Sequence, residues 1–115
     1  MFRLTWTDRA KQQFEALEAK ARREFDNRRR RDRSKWTKAE GLFKQLAKTV
    51  DLLRTNPRHP SLQTHEFMSL DHPFDLSAKV FGAYARHRTP GAYRVFWCYG
   101  PDRDTITIIA ITPHP

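Results

Sequence analysis

Apolar residues change their spacing along this 115-residue chain, and each change marks a different kind of element. Phe2, Leu4 and Trp6 alternate with Arg3 and Thr5, the period of a strand with one buried face. Thr7 and Asp8 follow, with side chains suited to accept from the free N–H groups that open a helix. Ala10, Phe14, Leu17, Ala21 and Phe25 then recur at spacings of three and four, which predicts an amphipathic helix. The polar run from Arg28 to Arg33 interrupts that stripe. Thr37 and Glu40 have the spacing of a capping box, and Leu42, Phe43, Leu46, Ala47, Val50 and Leu53 line a second helix behind it. Asn56-Pro57 ends that helix, because the residue before a proline is pushed out of helical conformation. Two such helices joined by a short basic connection are expected to fold back as an antiparallel hairpin.

Beyond Pro60 the period shortens. Leu62 to Phe67 and Lys79 to Arg86 are candidate strands, separated by a loop-like stretch from Asp71 to Asp75 with Pro73 inside it. Tyr93 to Tyr99 and Thr105 to Ile111 carry the strongest strand patterns, and Gly100-Pro101-Asp102 punctuates them as a hairpin. The expected fold class is therefore α+β: an N-terminal strand, an antiparallel helical hairpin, then a three- to four-stranded, mostly antiparallel sheet. A chain of 115 residues has room for one core, so residues 1–115 read as a single domain.

Composition narrows the class further. Three Trp, three Tyr and eight Phe are aromatic content that a disordered chain does not carry. The single Cys98 excludes an intrachain disulfide and points to a reducing compartment. No apolar run approaches the roughly 20 residues that span a bilayer, and the first residues lack the pattern of a secretory signal, so a cytoplasmic location is expected. Twenty-two Lys and Arg oppose 13 Asp and Glu, a net charge of +9. That excess favours a polyanionic partner, with nucleic acid, an acidic protein and an anionic membrane surface all compatible.

Two side chains near the end carry the candidate chemistry. Arg94, inside the strand Tyr93-Arg94-Val95-Phe96-Trp97, is a permanent cation able to grip a phosphate. His114 follows the partner strand and can exchange a proton near neutral pH. These are two of the parts needed to cut RNA without a metal. Strand alternation sets Arg94 with Phe96 and Cys98, opposite to Tyr93, Val95, Trp97 and Tyr99, so the Trp97 face is expected to pack on the helices. The structural alternative for Arg94 is an ion pair at a strand edge. No histidine pair has metal-ligand spacing and one cysteine cannot build a thiolate site, so no metal is expected. Arg28, Arg29, Arg30 and Arg31 form the largest single-sign block, with a solvated helical tip as the plain reading and contact with RNA phosphates as the functional one.

In order along the chain, several pieces match a known pattern. They are the N-terminal Leu4-Thr5-Trp6-Thr7, the segment Asn56-Pro57-Arg58-His59-Pro60-Ser61-Leu62-Gln63-Thr64-His65, the strand Ala92-Tyr93-Arg94-Val95-Phe96-Trp97, and Ile109-Ala110-Ile111-Thr112-Pro113-His114. With these the chain resembles the RelE/ParE superfamily of type II toxin–antitoxin toxins, most closely its RelE-like mRNA interferase branch. The stretch from Ser69 to Lys79 is longer than the family's usual connection, and the basic run between the helices is heavier. The resemblance implies a metal-independent endoribonuclease that cleaves mRNA on the ribosome and is neutralised by a cognate antitoxin, with no small-molecule cofactor. It implies Arg94 on the scissile phosphate and His65 and His114 as proton-transfer groups.

Attack by the RNA 2′-hydroxyl requires a base, an acid for the leaving 5′-oxygen and a cation for the phosphorane. His65 and His114 fill the first two roles interchangeably, Arg94 the third, and Arg86 is a second cation. Tyr84, Tyr93 or Trp97 is available to stack on a base, Trp97 being the better candidate for core. Two other classes stay open: a ParE-like toxin that inhibits gyrase by binding alone, and a non-catalytic nucleic-acid-binding module using the arginine run. A degenerate, inactive toxin is the remaining alternative.

Overall fold

The computed structural model describes residues 1–31, 36–85 and 91–113, with the side chains of residues 29–31 left aside. The chain forms β1 (Arg3–Trp6), α1 (Asp8–Arg31) and α2 (Lys38–Thr55), then a 3-10 turn (Pro60–Leu62), β2 (His65–Glu66), β3 (Phe81–Tyr84), β4 (Tyr93–Tyr99) and β5 (Thr105–Pro113). The five strands make one sheet in the order β1-β5-β4-β3-β2. All neighbours are antiparallel except β1, which joins β5 in parallel, Leu4 opposite Ile106 and Trp6 opposite Ile108. The fold is thus the expected α+β arrangement, with the first strand recruited to an edge of the later sheet.

Both helices lie on one face of that sheet. Ala10 of α1 and Leu46, Val50 and Leu53 of α2 bury against Ala83, Val95, Trp97, Ile106, Ile108 and Ile111. Thr7 caps α1 by accepting from Ala10 N–H, and its own hydroxyl donates to Ile109 O of β5. The α2 capping box closes in both directions: Thr37 Oγ1 accepts from Glu40 N–H, and Glu40 accepts from Thr37 N–H at 2.7 Å. Phe14 meets Phe43 at 5.2 Å between ring centroids, holding the two helices together near the sheet.

Three expectations need correction. The arginine run does not interrupt α1: the helix continues through Arg31, since arginine is a good helix former and needs no apolar partner to stay helical. The stretch from Leu62 to Phe67 is only partly strand. Pro60 starts a 3-10 turn capped by His59 Nδ1, and Gln63 adopts a left-handed conformation at φ 51°, leaving His65–Glu66 as a two-residue strand. The Lys79 to Arg86 strand is shorter than its pattern, Phe81–Tyr84, with Arg86 outside the described residues. Conversely, β4 coincides with its expected span, and β5 runs two residues further than expected, to Pro113.

The β4–β5 register steps once. Phe96 pairs with Ala110 but Trp97 with Ile108, so Ile109 is the extra residue of a bulge. The bulge resolves a conflict in the sequence Ile106-Thr107-Ile108-Ile109-Ala110-Ile111, where alternation fails. Ile106, Ile108 and Ile111 join the helix-side core, while Ile109 and Ala110 both join the opposite face.

Candidate active site

The face of the sheet turned away from the helices carries the candidate residues His65, Tyr84 and Arg94. One rung across it runs His65–Gly82–Phe96–Ala110, and a second runs Tyr84–Arg94–Thr112. Arg94 therefore shares a face with Phe96 and Cys98 and opposes Trp97, as strand alternation requires. His65, Tyr84 and Arg94 stand on this face from three different strands, and His65 lies two strands across and one rung along from Arg94, about 12 Å.

Part of this face has its own cover. Residues 67–80 return over it and bury Phe67 and Leu70 beside Val80, Phe96, Cys98, Ile109 and Ala110. Phe67 and Phe96 have centroids 4.4 Å apart. His72 fastens the segment: its Nε2–H donates to Tyr99 O at 3.1 Å, and its Nδ1 accepts from Phe74 and Asp75 N–H. With both ring nitrogens engaged, His72 is a structural histidine. No residue of the Tyr84–Arg94–Thr112 rung belongs to this second cluster.

Arg94 is half-buried, and its surroundings do not neutralise it. Among the described residues no carboxylate lies within 4 Å of its guanidinium. Its Nε is buried without a hydrogen-bond partner, and Nη2 reaches Thr112 Oγ1 only at 3.5 Å, too long for a strong bond. The guanidinium sits 5.3 Å from the Phe96 ring centroid, which orients it without quenching its charge. The ion-pair explanation of this arginine thus finds no acid among the described residues. A cation held this way has donors to spare for an oxyanion.

His65 is exposed and well oriented. Its ring stacks on Tyr84 at 5.3 Å and 21°. Nδ1 lies 3.2 Å from the Gln63 carbonyl, which can only accept, so in this pairing Nδ1 carries the proton and the lone pair is on Nε2. Glycine at position 82 makes room for the ring. A Cβ there would come 3.1 Å from His65 Cε1, 3.2 Å from Nε2 and 3.4 Å from the Phe96 ring. Gln63, Gly82 and Thr112 are absent from the sequence-based site. Their only signal is position: Gln63 two residues before His65, Gly82 in an otherwise apolar strand, Thr112 opposite Arg94.

The remaining expected site residues divide. His114 and Arg86 lie outside the described residues. Tyr84 carries the His65 ring on one face, so it acts first as a support for the imidazole. Arg28 turns inward: its Nε donates to Glu40 Oε2 at 3.0 Å, with both side chains nearly buried, and its guanidinium lies 5.2 Å from the Phe25 centroid. It ties the end of α1 to the start of α2, which takes it from the set of outward phosphate contacts. Arg29, Arg30 and Arg31 complete the last turn of α1, and their side chains are outside the description. Tyr93 and Trp97 face the helices.

The electrostatics of the supports are consistent with these roles. Burial works to raise the Glu40 pKa, but the Thr37 N–H and the Arg28 guanidinium outweigh it and hold the carboxyl below its ordinary value. Burial pushes the Cys98 thiol up to about 11, against a smaller opposing effect of a backbone hydrogen bond at Thr107, so it is a poor nucleophile. Among the described residues no three His, Cys, Asp or Glu side chains are grouped to hold a metal, and no helix is long and apolar enough to cross a membrane.

No protein-family model matches the chain, and no curated protein sequence matches it. Among solved structures, the YoeB/ParE toxin from Agrobacterium tumefaciens superposes over 98% of this chain and 99% of its own, with a TM-score of 0.55 at 10% identity. This chain therefore shares the fold of that toxin.

Proposed function

We propose that this chain is the toxin of a type II toxin–antitoxin system and that it cleaves mRNA without a metal, on the ribosome. The observation that carries the reading is Arg94, a half-buried guanidinium with no carboxylate partner among the described residues, on the same sheet face as His65, whose Nδ1 faces the Gln63 carbonyl. Folding alone gives little reason to hold a cation in that state, since an unpaired, partly desolvated charge costs stability. A phosphate binder needs it.

In this mechanism His65 Nε2 takes the proton of the RNA 2′-hydroxyl, and the resulting oxyanion attacks the adjacent phosphorus. Arg94 neutralises the charge that gathers on the phosphorane oxygens. His114, two residues beyond Thr112 in the chain, supplies the proton for the departing 5′-oxygen, and Arg86 adds a second cation. The Arg29–Arg31 run positions the protein on ribosomal RNA by phosphate contacts that carry no sequence information. A cognate antitoxin with an acidic segment would cover the basic surface.

Primer extension on a reporter mRNA after brief induction tests the reading. Wild-type protein should give discrete new cuts within translated codons, and Arg94→Ala, His65→Ala and His114→Ala should each lose them. Growth arrest without cuts, unchanged by the histidine substitutions, would move the chain to the gyrase-binding class.

A further inference from the structure

We propose that a trough along one side of α1 receives an amphipathic helix of a partner protein, acidic at the end that meets the tip of the helical hairpin. That this partner is the antitoxin rests on the toxin reading above. Two hollows make up the trough. One, of about 410 Å³, lies between the second half of α1 and the start of α2. The other, of about 490 Å³, lies between Trp6 and the first half of α1. Glu18 borders both, and Phe14 of the second touches Phe43 of the first with ring centroids 5.2 Å apart. From Lys11 to Arg28 the trough runs for about 25 Å, the length of a helix of roughly 17 residues.

The lining is apolar and open. Ala21, Phe25, Trp36 and Phe43 line the hollow at the tip, and Phe25 and Trp36 remain 42% and 58% exposed. Two large exposed rings in one hollow form a patch, which marks an interaction site where single scattered residues would not. Charge then selects the partner. Residues 20–48 carry 12 Lys and Arg against 4 Asp and Glu, nearly all of the chain's +9. Within the tip hollow Arg28 and Glu40 answer each other, while Arg22 and Lys44 have no carboxylate within 4 Å among the described residues. The hollow near β1 has the opposite balance, Glu15 and Glu18 against Lys11. The trough thus runs from positive at the tip to negative near β1.

That gradient fits a helix better than a nucleic-acid strand. RNA is negative throughout and would be repelled by Glu15 and Glu18. Its bases would also find the exposed rings engaged, since Lys44 Nζ lies 4.5 Å from the Trp36 centroid and the Arg28 guanidinium 5.2 Å from that of Phe25. An amphipathic helix meets every part of the trough. Apolar side chains at every third and fourth position fill the two hollows. Acidic residues at one end face Arg22 and Lys44, and basic residues at the other face Glu15 and Glu18. None of His65, Tyr84 and Arg94 lines the trough, so a helix seated there leaves the opposite face of the sheet uncovered.

The test is a titration followed by the indole N–H signals of the ¹⁵N-labelled chain. The probe is a synthetic peptide of roughly 18 residues, with Leu at every third and fourth position, Glu between them in one half and Lys in the other. At concentrations on the order of 100 μM it should move the Trp6 and Trp36 signals together and saturably, while the signal of buried Trp97 stays in place. The same peptide with Lys at every Glu position should bind at least roughly tenfold more weakly. Phe25→Ala, at an exposed position, should weaken binding of the first peptide by a similar factor. Signals indifferent to the first peptide overturn the proposal, as do equal affinities for the two peptides or an unchanged affinity in Phe25→Ala. Single-stranded oligouridylate that moves Trp6 and Trp36 as strongly as the peptide also overturns it and makes the trough a nucleic-acid site. Primer extension decides the toxin reading separately: an absence of cuts would leave the peptide result standing and remove only the identification of the partner as an antitoxin.

Discussion

On the helix-covered face of the sheet, β4 contributes Val95 and Trp97 to a core shared with Ala10, Leu46, Leu53, Ile106 and Ile108. On the other face the residues between them do something different. Phe96 and Cys98 pack under residues 67–80, and Arg94 stands past the end of that cover with no acid beside it among the described residues. The first face is explained by packing, since each of its residues fills space that another vacates. The second is not, because an apolar residue at position 94 would satisfy the fold at least as well. On the proposed function, the difference separates residues that hold the protein together from a residue kept for chemistry.

The largest test of that separation is Trp97→Ala. Removing a side chain buried on the core face should cost about 3–5 kcal/mol in urea unfolding. A loss below about 1 kcal/mol would mean that the helix-side core is not the main source of stability.

Glu40→Gln comes next, since the carboxylate joins α1, the turn and α2. The wild-type carboxyl titrates lower in the folded chain than unfolded. Its contribution is therefore complete above pH 4.5 and is lost as pH falls through the folded value. The unfolding midpoint of the variant should lie below wild type at pH 7 and converge with it as pH falls through and below the folded value. Parallel midpoints across that range would contradict the pairing.

Gly82→Ala should act on the open face with little effect on folding. Its Cβ displaces an exposed ring by a few tenths of an ångström, so cleavage should fall by about 10- to 100-fold while the midpoint barely moves. Unchanged cleavage would remove His65 from the base role.

Cys98 gives the smallest effect. Its thiol should react with an aromatic disulfide at pH 8 only as fast as the chain opens. Because the folded pKa is raised from 9.0 to about 11, stability should decline as pH rises above 9. Rapid labelling of the folded chain would show the cover to be loose.

Much of this was legible in the sequence, for identifiable reasons. The alternation of Tyr93 to Tyr99 specified β4 and the side on which Arg94 stands, because a one-residue slip would bury the arginine in the core. Thr37 and Glu40 announced the start of α2 through a local capping reaction. What stayed hidden depends on contacts between distant segments. Arg28 read as one of four equivalent arginines until Glu40, 12 residues on, claimed it. The parallel pairing of β1 with β5 joins residues about a hundred positions apart, and no local period encodes it. Gln63 looked like part of a strand, and its left-handed conformation follows from the 3-10 turn that Pro60 begins. The site showed the same division: the charge of Arg94 was visible, while the carbonyl that fixes His65 and the glycine beneath it were not.

The most direct measurement is made on Arg94→Ala, comparing mRNA cleavage and urea unfolding on one preparation. The account predicts that cleavage falls by at least roughly 10²-fold while the unfolding free energy stays within about 0.5 kcal/mol of wild type or rises. Retained cleavage, or a loss of about 2 kcal/mol in stability with cleavage falling only in proportion to the unfolded fraction, would make Arg94 a structural residue and contradict the separation of the two faces.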